Sequence, residues 1–136
     1  MRILIVEDDL ASRTFLYKFM SRYGDCDITV DGMEAVEAFM MAHDEKQPYD
    51  LIFLDIMMPK LDGIKTLKAI RGLEEEKGIE PLERAKIIMT TALNDTENVK
   101  EAFEIGCEAY AAKPIDTSKM VEVMEKLELI RQDEID

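Results

Sequence analysis

Five short apolar runs recur along the chain, at about residues 2–6, 26–30, 50–55, 86–91 and 108–112, and a segment with helical periodicity follows each of them. A strand buried on both faces reads as an unbroken apolar run, which suits a parallel sheet covered by helices on two sides. Successive parallel strands need a right-handed crossover, and a helix between each pair supplies it. The 136 residues suffice for one such α/β domain with a single core, without disulfides or structural metals.

The helical segments carry their own signals. In the first, Phe15, Phe19 and Tyr23, flanked by Leu16 and Met20, predict one sheet-facing stripe, with Gly24 as the stop. Met33, Val36, Phe39 and Met40 predict the buried face of the second, and Gln47-Pro48 ends its connection to the central strand. The third buries Ile64, Leu67 and Ile70. Residues 72–84 are charged and hold Gly78 and Pro81, so they read as the end of that helix entering a solvated connection without chemistry. Val99, Ala102 and Phe103 mark the fourth helix, with Asn94 or Asp95 as cap and Gly106 as end. The fifth starts at Asp116 or Thr117 and buries Met120, Val123, Met124, Leu127 and Ile130. The expected domain spans 1–131, followed by an acidic, fraying tail over 132–136.

Charge excludes several classes of partner. With 30 acidic residues against 17 basic ones, the net charge of -13 repels nucleic acid and anionic lipid, so direct nucleic-acid or membrane binding is not expected. No apolar stretch approaches the ~20 residues of a membrane span, and no basic leader precedes the first strand. A cytoplasmic location follows as the expectation. Cys26 and Cys107 stand apart without metal-site spacing and read as thiols in a reducing compartment. Few residues follow the fifth helix, too few for a DNA-binding or enzymatic domain, although a domain cut from a longer parent reads identically. Most of the ten methionines are expected in the core.

Chemistry concentrates where two apolar runs end. Asp55 closes Leu51-Ile52-Phe53-Leu54, and Glu7-Asp8-Asp9 closes Arg2-Ile3-Leu4-Ile5-Val6. Ligands of open α/β sheets gather at the carboxyl ends of strands. Glu7, Asp8 and Asp55 together would repel one another there unless a cation compensates them, and an oxygen-seeking divalent ion such as magnesium fits. Manganese or calcium would substitute. Taken alone, Glu7-Asp8-Asp9 reads better as a helix cap, and it is the presence of Asp55 that turns the reading to a metal site.

Glu7-Asp8, Asp55-x-Met57-Met58-Pro59-x-x-Asp62-Gly63, Thr91-Ala92 and Tyr110-x-x-Lys113-Pro114 resemble, in order and over nearly the whole chain, the receiver domain of two-component response regulators. The resemblance implies a flavodoxin-like (βα)5 sandwich, with the parallel sheet in strand order 2-1-3-4-5. It implies that Asp55 accepts a phosphoryl group from a histidine kinase or phosphotransfer protein. Mg2+ would be held directly by Asp8, Asp55 and the Met57 carbonyl, and by Glu7 through water, leaving Asp9 outside. Lys113 and Thr91 would stabilise the phosphoryl oxygens, and the Lys113-Pro114 bond would be cis. Thr90 competes with Thr91 on residue type alone, and the family pattern decides for Thr91. Thr91 and Tyr110 would form a switch that remodels the fourth helix, fifth strand and fifth helix for a downstream protein or a phosphorylation-dependent dimer.

Other readings remain open at this point. One is a receiver-like interaction module that is never phosphorylated, against which the complete acidic set and Lys113 argue. Another is a metal-dependent aspartyl phosphatase, which would want an aspartate where Met57 stands. A flavin protein would want a phosphate-cradling loop where Glu7-Asp8-Asp9 stands. Met57 and Leu93, two residues after Asp55 and Thr91, are apolar and unable to orient an attacking water, so a long-lived phosphorylated state is expected.

Overall fold

A computed structural model describes residues 1–58, 60–92 and 95–131. Pro59, Leu93, the alternative cap Asn94 and the tail at 132–136 lie outside the described residues. Strands β1 (Arg2–Val6), β2 (Asp25–Thr29), β3 (Leu51–Asp55), β4 (Lys86–Thr91) and β5 (Ala109–Ala112) alternate with helices α1 (Leu10–Met20), α2 (Gly32–Asp44), α3 (Gly63–Glu76), α4 (Thr96–Ile105) and α5 (Thr117–Lys126). The sheet is parallel throughout, in the order β2-β1-β3-β4-β5. The expected α/β architecture and strand order both stand; β3 and β5 each start one residue later than expected, and β2 lies one residue earlier at both ends.

The two faces of the sheet make two cores. Leu4, Val6, Ile52 and Leu54 point with Phe39, Ile64, Leu67 and Ile70 to the α2–α3 side. Ile3, Ile5, Leu51 and Phe53 point with Leu16, Met20, Met120 and Met124 to the α1–α5 side. All five residues of β3 are buried, which explains its uninterrupted apolar run.

Several helix faces differ from expectation. On α1 Leu16 and Met20 are buried and Phe19, with Tyr23 just beyond the helix, packs partly buried against the same core, while Phe15 is exposed; ring centroids along this row lie 6.3 and 5.8 Å apart. On α2 the buried residues are Gly32, Ala35, Phe39 and Ala42, and Met33 and Met40 are exposed. Small alanines let this helix lie close to the sheet, and the methionines turn outward. Phe103 of α4 is likewise exposed, with Ala102 beneath it. Helix α1 ends at Met20 before reaching Gly24, whose role is space, since a Cβ there would collide with the Met1 carbonyl. Helix α5 ends at Lys126, and Ile130 packs beyond it. The last turn of α3, expected to be solvated charge, is not inert, for Glu74 is fully buried.

Candidate functional site

The carboxyl ends of β1 and β3 are neighbours in the sheet, with Val6 registered against Leu54, so Glu7 and Asp55 emerge side by side. Both are buried, and Asp8 beside them is exposed. One carboxylate oxygen from each of Glu7, Asp8 and Asp55 lies within 4.8 Å of the other two. Gly63 makes room behind them, because a Cβ on it would strike the Asp55 backbone. Asp62 caps α3 by accepting the Lys65 N–H at 2.9 Å, which fixes the return of the loop after Asp55.

Lys113, at the end of β5 before a cis Lys113-Pro114 bond, reaches across the sheet to this cluster. Its Nζ lies 2.6 Å from Glu7 Oε1 and 3.2 Å from Asp55 Oδ2. Burial pushes the ammonium down, but Glu7 and Asp55 outweigh it and raise the group above its usual value. Glu7 is raised too, first by burial and then by its carboxylate neighbour Asp55, with Lys113 opposing. Asp55 Oδ1 accepts the Met57 N–H at 3.3 Å, and the Met57 side chain is 66% exposed.

Three carboxylates facing one ammonium leave uncompensated negative charge at a partly buried rim. The donors are all hard oxygens, and Glu7 Oε1 is buried with an ion pair to Lys113 whose geometry falls short of a hydrogen bond. That donor set fits magnesium, manganese or calcium better than a thiolate- or imidazole-seeking metal.

Thr91 ends β4, buried like Thr90, and it is Thr90 that stands in register with Asp55. The Thr91 hydroxyl contacts Asp95 Oδ2 at 3.2 Å and the Ala92 carbonyl at 3.3 Å. Tyr110 points outward, half exposed, edge-on to Phe103 at 6.1 Å. Between them lies a cavity of about 190 Å³ lined by Thr91, Asp95, Val99, Lys100 and Tyr110 among others. The structure therefore gathers Glu7, Asp8, Asp55 and Lys113 at one point, with the Met57 N–H on Asp55, and it places Thr91, whose carbonyl accepts the Lys113 N–H at 2.8 Å, on a cavity wall shared with Tyr110. Sequence reasoning saw Asp95 only as a cap; its spacing of four residues from Thr91 was the available signal.

Comparison with known proteins points the same way. The family model described as "Response regulator receiver domain" matches residues 3–125. "Chemotaxis protein CheY" of Treponema pallidum is 33% identical over 123 residues, covering 89% of this chain and 78% of that one. "Probable histidine kinase 2" of Oryza sativa subsp. indica is 32% identical over 134 residues, 91% of this chain, which spans only 12% of that protein. Among solved structures, the co-crystal of the Saccharomyces cerevisiae phosphotransfer protein Ypd1 with the receiver domain of Ssk1 matches with TM-score 0.78 and 26% identity, covering 97% of this chain and 93% of that one. The receiver domain of histidine kinase PA1611 from Pseudomonas aeruginosa, with magnesium coordinated in its active-site cleft, matches with TM-score 0.74 and 27% identity over 93% and 95% of the two chains.

Proposed function

The chain belongs to the response regulator receiver domain family, and from that premise we propose that Asp55 is the residue through which it takes part in phosphorelay signalling. Asp55 attacks the phosphorus of a phosphohistidine on a kinase or phosphotransfer protein. The new O–P bond forms as the N–P bond breaks, and the electron pair returns to the imidazole. A carboxylate nucleophile needs no separate base. Asp8, Asp55, Glu7 and the Met57 carbonyl would hold magnesium, which would supply charge neutralisation at the phosphoryl oxygens. Lys113 is poised on Asp55 and turns its ammonium to a phosphoryl oxygen, while the Thr91 hydroxyl donates to another.

The observation that carries this reading is the Lys113 ammonium bridging Glu7 and Asp55 at 2.6 and 3.2 Å, with Asp8 completing the acidic set. The protein acts as a phosphoacceptor that assists its own phosphorylation and dephosphorylation and turns over no separate substrate. Partners are a histidine kinase or phosphotransfer protein upstream and, through α4, β5 and α5, a downstream protein or a second phosphorylated copy. Such a relay runs in the cytoplasm; among the described residues no helix is long and apolar enough to cross a membrane.

Incubation with a small acyl-phosphate donor and Mg2+, followed by peptide mapping by mass spectrometry, tests the assignment. Phosphate is expected on Asp55, absent in Asp55→Asn and absent without metal. Label on any other residue overturns it.

A further inference from the structure

Asp95 occupies the N-cap position of α4 and does not cap it. Asp9, Asp31, Asp62 and Asp116 each cap their helices from extended backbone and accept a first-turn N–H. Asp95 has φ -96 and ψ 50 and makes no side-chain bond to the helix amides. One of its oxygens accepts from Asn98 Nδ2 at 2.7 Å, and the other faces Thr91 Oγ1 at 3.2 Å.

A carboxylate only accepts, so in that pair the threonine is the donor, and a hydroxyl has one proton to give. A phosphoryl oxygen is also purely an acceptor. The hydroxyl has two acceptors within reach, Asp95 Oδ2 at 3.2 Å and the Ala92 carbonyl at 3.3 Å, of which the charged carboxylate is the stronger, and neither bond coexists with donation to a phosphoryl group. We infer that Asp95 is a positioning residue acting through Thr91, a latch whose carboxylate occupies the hydroxyl that phosphoryl recognition requires and so sets the balance between the two states.

The geometry around the pair gives the latch a direction. A phosphorylated aspartate carries more negative charge than the Asp95 carboxylate and draws the shared proton more strongly. Once released, Asp95 is already at the cap position, beside the amides of the first turn of α4. Cap formation then offsets part of the lost bond and holds the exchanged state. The other end of α4 is fixed, because the Gly106 carbonyl accepts from Arg71 Nε of α3 at 3.0 Å. Movement is confined to the N-terminal end, where Thr91, Asp95 and Tyr110 line one cavity. Opening the latch therefore changes the wall of the space beside the Tyr110 ring.

This inference rests on Asp55 as acceptor and Thr91 as phosphoryl ligand, and two measurements separate its failure from theirs. In metal-free protein, three-bond couplings of the Thr91 methyl report its rotamer. One rotamer is expected in wild type and averaging in Asp95→Ala; an unchanged rotamer overturns the latch. With Mg2+ and beryllofluoride as phosphoryl mimic, Asp95→Ala is expected to bind the mimic about three- to tenfold tighter, the worth of one modest hydrogen bond. Asp95→Asn, still an acceptor but uncharged, falls between, and it serves should the alanine variant fold poorly. In a Thr91→Val background Asp95→Ala changes nothing. Unchanged or weaker binding in Asp95→Ala, or an equal gain in Thr91→Val, overturns the latch in favour of a purely structural aspartate. A wild type that keeps the single Thr91 rotamer but does not take up beryllofluoride overturns the acceptor reading instead.

Discussion

Glu7, Asp8 and Asp55 have the same chemistry and very different surroundings, and their surroundings decide what each substitution does. Glu7 is fully buried and paired with Lys113, so replacing it disturbs the ion pair as well as the carboxylate cluster. Asp8 is exposed, and its loss touches little of the fold. Asp8→Ala is expected to unfold within about 0.5 kcal/mol of wild type without metal. Wild type at about 100 times its dissociation constant for Mg2+ is expected to gain ~2.7 kcal/mol from binding, and the variant to forfeit that gain. Thermal denaturation with and without Mg2+ reads both. Met57 offers a second test at this scale, since its exposed side chain flanks Asp55 and its N–H already donates to Oδ1. Met57→Asn places a group there that orients water, and decay of the phosphorylated state should accelerate by roughly tenfold, below the range of a full acid–base group. Equal lifetimes would show that Met57 only fills space. The acidic residues were legible in the sequence because each ends an apolar run, whereas the choice of Thr91 over Thr90 required the family pattern, since adjacent buried threonines on one strand look alike.

Helix caps carry much of the local precision, and at the start of α2 they give a pH dependence with a definite sign. Asp31 accepts the Glu34 N–H at 2.9 Å, and that amide holds its carboxyl below the ordinary 3.8, with Lys60 contributing less. A carboxyl depressed in the folded state stabilises fully above its unfolded value, and that contribution drains away as pH falls through the lower folded value. Acid denaturation followed from pH ~5 to ~2 should therefore show a shallower loss in Asp31→Asn than in wild type. Asp31→Ala should lose about 0.5–2 kcal/mol at neutral pH, as removal of a cap does. Gly63 opens α3 under a different constraint, since a Cβ would meet the Asp55 carbonyl. Gly63→Ala is expected to destabilise by about 1–3 kcal/mol through overpacking, measurable by urea denaturation. Strands and caps of this kind are readable from sequence: a doubly buried strand is apolar at every position, and an aspartate before a periodic segment has one common use. Helix faces were less readable. Periodicity favours large side chains, so Met33 and Met40 were expected inside α2, while the contact is made by Ala35, Phe39 and Ala42.

At the scale of the whole molecule, the acidic rim at the carboxyl ends of the strands is balanced by an ionic anchor at their amino ends. Arg71 of α3 donates to Glu74 Oε1 at 2.7 Å, to both oxygens of Glu108 at 2.8 and 2.9 Å, and to the carbonyls of Ala85 and Gly106. Glu74 and Glu108 in turn accept the N–H groups of Ala85 and Ile87 at the start of β4. One guanidinium thus ties α3, β4, β5 and the end of α4 together. Burial raises Glu108 above its usual value, while the Ile87 N–H and Arg71 pull it back. No local pattern announced this anchor: 37 residues separate Arg71 from Glu108, and Glu74 sits in a stretch read as solvated charge. Its energetics are asymmetric, because a buried ion pair gains little over apolar packing, yet removing one partner strands the other. Arg71→Met should therefore destabilise by about 3–5 kcal/mol, and joint replacement of Arg71, Glu74 and Glu108 by apolar residues should cost less. Because the acidic cluster lies at the opposite end of the strands, the Mg2+-dependent rise in melting temperature should survive in Arg71→Met. Should that increment disappear with Arg71, the two ends of the sheet are coupled and the anchor belongs to the switch as well as to the fold.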